Sequence, residues 1–386
     1  MGLNRLFCFV FLLIILSGCW DVVNIEERGF VMGSAIDLAD NNDTKQTKLM
    51  MTNQVAVPVE MVTAFSGGGS SENSFLNFTS TGKSIFEMEE KVATLSSKVP
   101  YYEHLFVLVV SEDVMRVEKL FFKILDSYIR DVNFRRGIKI VVSAGQAKNI
   151  LEFTSPNYRL PAIYIDELLE KSSEQVGFFK PVVAGDVEEF HLKNNSYILP
   201  YISTDKQLEY DAAAVIHGTK NQMVGILKAE ELQGIGMIMG ENTLKVIDFL
   251  YKGEPFALDV VRYKSKMTTD PSDINDINVT LDIEIEGVIK ELVHQADLTN
   301  PQVINSIQNA ISEHVENTIE KVIHKGQHEF GTDIFDVWLQ METKHYKQWE
   351  QVKDDWETGE QIFKNVTFNV NVETEIYSTG TTKRTD

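Results

Sequence analysis

The sequence predicts an α+β protein in three parts, with mixed sheets flanked by helices and a C-terminal antiparallel sheet packed against long helices. Three observations carry that expectation. The runs 104–110 (HLFVLVV) and 137–143 (GIKIVVS) are short, apolar and rich in β-branched residues, as buried strands are. Between them Val114, Val117, Phe121, Ile124, Leu125 and Tyr128 keep helical spacing, so strand, helix and strand form a crossover unit. Near the C-terminus Val279, Leu281, Ile283 and Ile285 alternate with polar residues, which is a half-buried strand, and a long amphipathic helix follows.

The remaining elements follow in order. The stretches 29–38 and 49–61 read as strands, and Ser66 to Ser71 (SGGGSS) as a flexible loop. Ile85, Met88, Val92 and Leu95 mark a helix, with Thr81 as its expected N-cap. Pro161 opens another helix. From 195 to 266, short strand-like pieces (210–217, 223–227 and 246–251) alternate with turns, as in a small β-rich unit. Asn300 and Pro301 give a capping residue and a proline at the first helical position. Val303, Ile304, Ile307, Ile311, Val315, Val322 and Ile323 continue that helix, which Gly326 is expected to end. Trp338 to Trp356 is a second, aromatic helical region, and Val366 to Ile376 a last alternating strand. The expected boundaries are a signal peptide at 1–18, an N-terminal α/β domain at 19–180, a β-rich middle domain at 181–268, a C-terminal α+β domain at 269–380 and a polar tail at 381–386.

The N-terminus predicts the location. An eleven-residue apolar run from Leu6 to Leu16 follows Arg5, within the range of a signal-peptide core and too short to span the ~30 Å of bilayer hydrocarbon. Leu16, Ser17 and Gly18 then lead into Cys19, which is the form of a bacterial lipobox. Cleavage before Cys19 would leave it as the first residue, carrying a diacylglycerol on its sulfur. Two acyl chains give stable anchoring where one is marginal. The expectation is an extracytoplasmic lipoprotein.

Composition excludes several alternatives. A net charge of −21 disfavours nucleic acid, since no basic patch offsets phosphate repulsion. The chain holds two cysteines, Cys8 inside the signal and Cys19 at the lipid, so neither an internal disulfide nor a cysteine metal site is expected. Gly82-Lys83-Ser84 lacks the upstream glycine of a phosphate loop, because Asn77 stands there. Gly234, Gly236 and Gly240 are spaced one residue too long for a dinucleotide fingerprint and read as turn glycines. His324 and His328 have a zinc-ligand spacing without a third ligand nearby, and Asp270, Asp273 and Asp276 lack the pattern of a calcium loop. The tryptophans Trp338, Trp349 and Trp356 read as helical core. No catalytic, cofactor or metal site is expected.

Several stretches together resemble the Ger(x)C family, the C-subunit lipoproteins of spore nutrient-germinant receptors. Cys19-Trp20-Asp21, Ile25-Glu26, Gly29 and the strand from Gly33 to Asp37 are similar to that family's opening. His104-Leu105, the apolar strand and Ser111-Glu112 resemble its next block, and Ile129-Arg130-Asp131 with Arg135-Arg136 its turn between helix and strand. Ala212 to Leu227 (AAAVIHGTKNQMVGIL) resembles its hairpin, with His217 where a phenylalanine is usual. Asp333-Ile334-Phe335 and the Trp-bearing helix complete the set, although Asp336 and Val337 replace the glycines that often follow. The resemblance implies a non-catalytic subunit on the outer face of the spore inner membrane, partnered by membrane A and B subunits. A solute-binding lipoprotein of a transporter is the alternative. Arg130, Asp131, Arg135 and Arg136 are the candidate partner contact, a cationic spot on an acidic protein. Their structural reading is an arginine at a helix C-terminus paired with Asp131.

Overall fold

The computed structural model describes residues 27–39, 47–57, 74–131, 134–153, 160–176, 179–204, 207–240, 244–293 and 296–378. Two mixed sheets organise them. The first contains β1 (Arg28–Leu38), β2 (Leu49–Ala56), β3 (Phe75–Gly82), β4 (Val99–Tyr101), β5 (Val107–Ser111), β6 (Lys139–Ser143), β7 (Tyr197–Thr204), β8 (Leu208–His217) and β9 (Gln222–Lys228). Its order is β3-β2-β1-β5-β6-β7-β8-β9, and β4 pairs with the start of β1. β1, β5, β6 and β7 run parallel, and antiparallel strands extend the sheet on both sides.

Every residue of β5 and β6 is buried, as a parallel strand covered on both faces requires. Leu108 and Val110 face a core built with α1 (Ile85–Leu95), α2 (Glu112–Met115), α3 (Leu120–Arg130) and, beyond it, α6 (Ala184–Lys193). Val107 and Val109 face the opposite core, with α4 (Ala147–Glu152) and α5 (Pro161–Val176). The single apolar face from Val114 to Tyr128 is thus two helices, broken at Lys119, whose φ is +60°. α1 is capped by Ser84, whose hydroxyl accepts from Glu87 N, and not by Thr81, which lies in β3.

A buried polar seam fixes β1 and β2 against these helices. Ser34 Oγ donates to Asn53 Oδ1 at 2.9 Å, and Asn53 Nδ2 donates to Tyr102 Oη at 2.8 Å. Gln54 Nε2 donates to the Leu151 carbonyl at 2.7 Å, and its Oε1 accepts from Ala162 N at 3.0 Å. Asp37 accepts from Ala147 N and Lys148 N, capping α4 from a distant strand.

The second sheet has the order β10 (Val246–Tyr251), β11 (Glu254–Asp270), β12 (Asn278–Leu292) and β13 (Thr367–Ser378). β12 and β13 pair in parallel, so this sheet is mixed and not wholly antiparallel as expected. The reason lies in the connection: α8 (Pro301–His324), α9 (Val337–Lys344) and α10 (Tyr346–Val352) carry the chain back before β13 begins. Residues 181–268, expected as a separate middle domain, are divided between the sheets. β7, β8 and β9 extend the first, whereas β10 and β11 belong to the second.

α7 (Ala229–Met239) joins the two. Leu232, Ile235, Met237 and Ile238 lie in one continuous core with Val215 of β8, Leu258 of β11 and Val322 of α8. Gly234 and Gly236 are therefore helical and not turn residues; a Cβ on Gly234 would lie 2.7 Å from Val322. Gly240 alone takes the turn role, at φ +68°. Asn300 caps α8 by accepting from Gln302 N, with Pro301 at its first position. Ile307, Ile311, Val315 and Ile319 are fully buried, each worth about 1.5–3 kcal/mol of apolar transfer. Gly326 does not end this helix. The chain continues through a π turn (Lys325–Phe330) and stops at Gly331, whose φ is +66°. At Gly326 the ring of Phe335 comes so close that a Cβ would lie 2.7 Å from it.

Candidate functional site

The charged cluster singled out in the sequence is only partly assembled. Arg130 ends α3 and pairs with Asp126 one turn back, Nε to Oδ2 at 2.7 Å, and not with Asp131, which caps that helix through its backbone. Arg135 is exposed in the turn before β6. Arg136 reaches Glu188 of α6, while its carbonyl accepts from Gly185 N. The arginines are solvent-facing, with 76% of the Arg130 side chain and 66% of the Arg136 side chain accessible. Pairs this exposed contribute roughly 0–1 kcal/mol. The cluster is a surface feature. Leu16, Ser17, Gly18 and Cys19 lie outside the described residues.

A denser arrangement lies inside the protein, where the two sheets meet. Asp333, directly before α9, is fully buried. Its Oδ2 accepts from Trp338 N at 2.7 Å and from Trp356 Nε1 at 2.9 Å, and its Oδ1 from Phe335 N and Val337 N. It thereby serves the orphan amides at the start of α9. Asp333 N in turn donates to Glu357 Oε1 at 2.7 Å. The other oxygen of Glu357 accepts from Ser196 Oγ, and Ser196 Oγ accepts from Gly218 N at 2.9 Å. Ser196 precedes β7 and Gly218 follows β8, so the chain Asp333–Glu357–Ser196–Gly218 stitches the first sheet to the helices of the second.

Burial sets the charges here. Loss of solvent pushes Glu357 up to about 8 and Asp333 up to about 6, against the donors that favour their anions. Burial, helped by Lys220, holds His217 down at about 4. His217 Nδ1 lies 3.8 Å from Glu357 Oε2, yet at neutral pH the imidazole is uncharged and Glu357 largely protonated, so they form no ion pair. At neutral pH the joint thus holds its charge on Asp333, where four N–H donors replace the lost water. Asp333 was visible in the sequence as part of a motif. Glu357 and Ser196 carried no signal, because one acid in a chain with 57 acidic residues marks nothing.

Trp338, Trp349 and Trp356 are buried, at 5%, 8% and 3% exposure, as core. His324 and His328 pack edge to face, 4.7 Å between ring centres. Among the described residues no group of three or more metal-binding side chains converges, and no helix is long and apolar enough to cross a membrane.

Known proteins place this architecture. The family model described as the spore germination protein N-terminal domain matches residues 21–204, and that described as spore germination B3/GerAC like, C-terminal, matches residues 211–380. The chain belongs to the Ger(x)C family of spore germination proteins, a germinant-receptor subunit family and not a known enzyme family. Spore germination protein B3 of Bacillus subtilis (strain 168) is 26% identical over 375 residues, covering 96% of each chain. Spore germination protein A3 of the same organism is 26% identical over 289 residues, 74% of each chain. The crystal structure of the GerBC protein has the same fold, with a TM-score of 0.59 at 22% identity, over 92% of this chain and 100% of that one. The two family regions divide between β7 and β8, inside the first sheet, so the buried joint unites Ser196 of the first region with Gly218, Asp333 and Glu357 of the second.

Proposed function

We propose that this chain is the lipid-anchored C subunit of a spore nutrient germinant receptor, working by protein–protein contact with membrane A and B subunits and without a catalytic step. The observation that carries the proposal is the ordered match of both family regions along almost the whole chain. The lipobox Leu16-Ser17-Gly18-Cys19 supports anchoring through a diacylglycerol on Cys19, on the extracytoplasmic face of the spore inner membrane. The exposed arginines Arg130, Arg135 and Arg136 offer a partner's carboxylates a cationic contact on an otherwise acidic surface.

The test is germination of spores carrying Cys19→Ala, read as dipicolinic acid release across a nutrient panel, with the protein blotted in membrane fractions. Loss of response to one nutrient class together with loss of the protein from the membrane is the expected outcome. Normal germination in a strain lacking the gene, with impaired uptake of one solute, would instead make it a transporter's binding lipoprotein.

A further inference from the structure

The distance between Cys19 and the first strand restricts how the protein can sit. Arg28, the first residue of β1, lies nine residues after Cys19. Nine extended residues reach at most about 30 Å. A compact chain of this length is roughly 55 Å across, from the scaling of size with residue number. The tether is shorter than the body it holds, so the end of the first sheet where β1 begins stays near any membrane that holds Cys19.

That end has an unusual surface for an acidic protein. Arg28 lies over the Tyr101 ring, 4.2 Å from its centre. Phe30 stacks on His104 at 5.3 Å and meets Tyr101 edge-on at 5.7 Å. Val99 pairs in register with Arg28 and is 56% exposed. Leu95, the last residue of α1, is 57% exposed. Leu76 of β3 lies across β2 from Val31, opposite Val55, and is 55% exposed. Lys98 packs beside Gly29, and Glu103 is hydrogen-bonded to Tyr101. Aromatic rings with a polar edge, an arginine and isolated aliphatic side chains suit the boundary between headgroups and acyl chains.

We propose that this end of the first sheet, through Leu76, Leu95, Val99 and the Arg28–Tyr101 pair, rests on the headgroup surface of the bilayer beside the acyl chains of Cys19. The proposal rests on the anchoring of Cys19 given above. It orients the molecule: the opposite end of the parallel strands, where α4 begins, faces away from the membrane.

The test uses the full lipidated chain in phosphatidylglycerol–phosphatidylethanolamine vesicles. An environment-sensitive nitrobenzoxadiazole probe is placed on Leu95→Cys, on Val99→Cys and, as the far-end control, on exposed Gln146→Cys just before α4. The expected result is a blue-shifted emission at 95 and 99 that brominated lipids quench, with no change at 146. Vesicle-bound protein whose probes at 95 and 99 stay in water would overturn this face while leaving the anchor intact. If those probes then become buried only when the membrane partners are added, the face belongs to a protein. Failure of the chain to float with the vesicles would remove the anchor itself, and the orientation with it.

Discussion

Ser196 and Glu357, 161 residues apart, share a buried hydrogen bond of 2.5 Å from Oγ to Oε2. Ser196 directly precedes β7, sixth in the first sheet's path, and Glu357 lies between α10 and β13. The bond therefore couples the two family regions through a carboxyl group that burial keeps protonated near neutral pH. A neutral acid can both donate and accept, whereas its anion can only accept. Here both oxygens of Glu357 accept, from Ser196 Oγ and Asp333 N, so these bonds favour its anion while burial favours its acid, and burial wins.

This coupling makes stability depend on pH in a definite direction. Glu357 moves from 4.5 unfolded to about 8 folded, so between those values the native state binds more protons and stability falls as pH rises. Glu89, raised to about 7, acts the same way over a lower range, and Asp333 at about 6 likewise. His191 and His217, each lowered to about 4, act oppositely but only below their ordinary value of 6.5. Between pH 7 and 8 Glu357 contributes most, a loss of about 1 kcal/mol, with a smaller part of the same sign from Glu89. Urea unfolding of the chain at pH 7.0, 7.5 and 8.0 reads it directly, as ~1 kcal/mol over that window. Glu357→Gln is expected to flatten the slope there; an unchanged slope in that variant would place the titration elsewhere.

Trp356 tests the other half of the joint. Its Nε1–H is one of four donors to Asp333. Trp356→Phe keeps most of the ring volume and removes that donor. The expected cost is about 1–3 kcal/mol, because a buried acceptor loses a partner. The cost is greater at pH 8 than at pH 5, since the missing donor stabilised the ionised carboxylate, which is populated above about 6. Equal losses at both pH values would mean the ring, and not its N–H, supports the site.

The elements of this fold were legible in the sequence where one local rule sufficed. The Asn300–Pro301 cap of α8, the alternation along β12 and the unbroken apolar runs of β5 and β6 all follow from nearest-neighbour periodicity. Sheet membership does not. An alternating strand such as β8 declares which residues are buried, not which neighbour covers them, so 208–228 looked like part of a small separate unit and instead completes the first sheet. The joint was hidden for the same reason. Asp333 stood in a motif, but its capping role is recognisable only once α9 is known to start four residues later, and Ser196 and Glu357 become partners only through the tertiary fold. The arginines, by contrast, were visible as a cluster, but Arg130 found its partner within its own helix at Asp126.

Gly326 and Gly137 separate close packing from chain flexibility. Gly326→Ala places a methyl against the Phe335 ring inside the π turn, where the ring is itself fully packed. Overpacking of that kind costs typically about 1–3 kcal/mol. Gly137 has open space at its Cβ position and no positive φ. Gly137→Ala is expected to be neutral or stabilising by up to ~1 kcal/mol, through the unfolded state. Thermal melts of both variants in parallel check the contrast, and a Gly326→Ala protein as stable as the parent would show that Phe335 can move aside.

The arginine cluster can be tested for partner contact because its ion pairs lie at the surface. Arg130 and Arg136 are paired only at the surface, so Arg130→Ala and Arg136→Ala are each expected to change stability by less than about 0.5 kcal/mol. Any loss of germination in such variants then has to come from contact with another molecule. Charge reversal sharpens the test: Arg135→Glu, at an exposed position, should leave the melting curve in place while adding like-charge repulsion against an acidic partner. Co-purification of the proposed membrane partners from spores, measured beside protein level, gives the readout. Reduced co-purification at normal protein level assigns the cluster to the receptor interface. Full co-purification and normal germination in the Arg130→Glu, Arg135→Glu, Arg136→Glu triple variant would leave these residues the role their geometry already shows, closing a helix end and bracing α6 against the turn before β6.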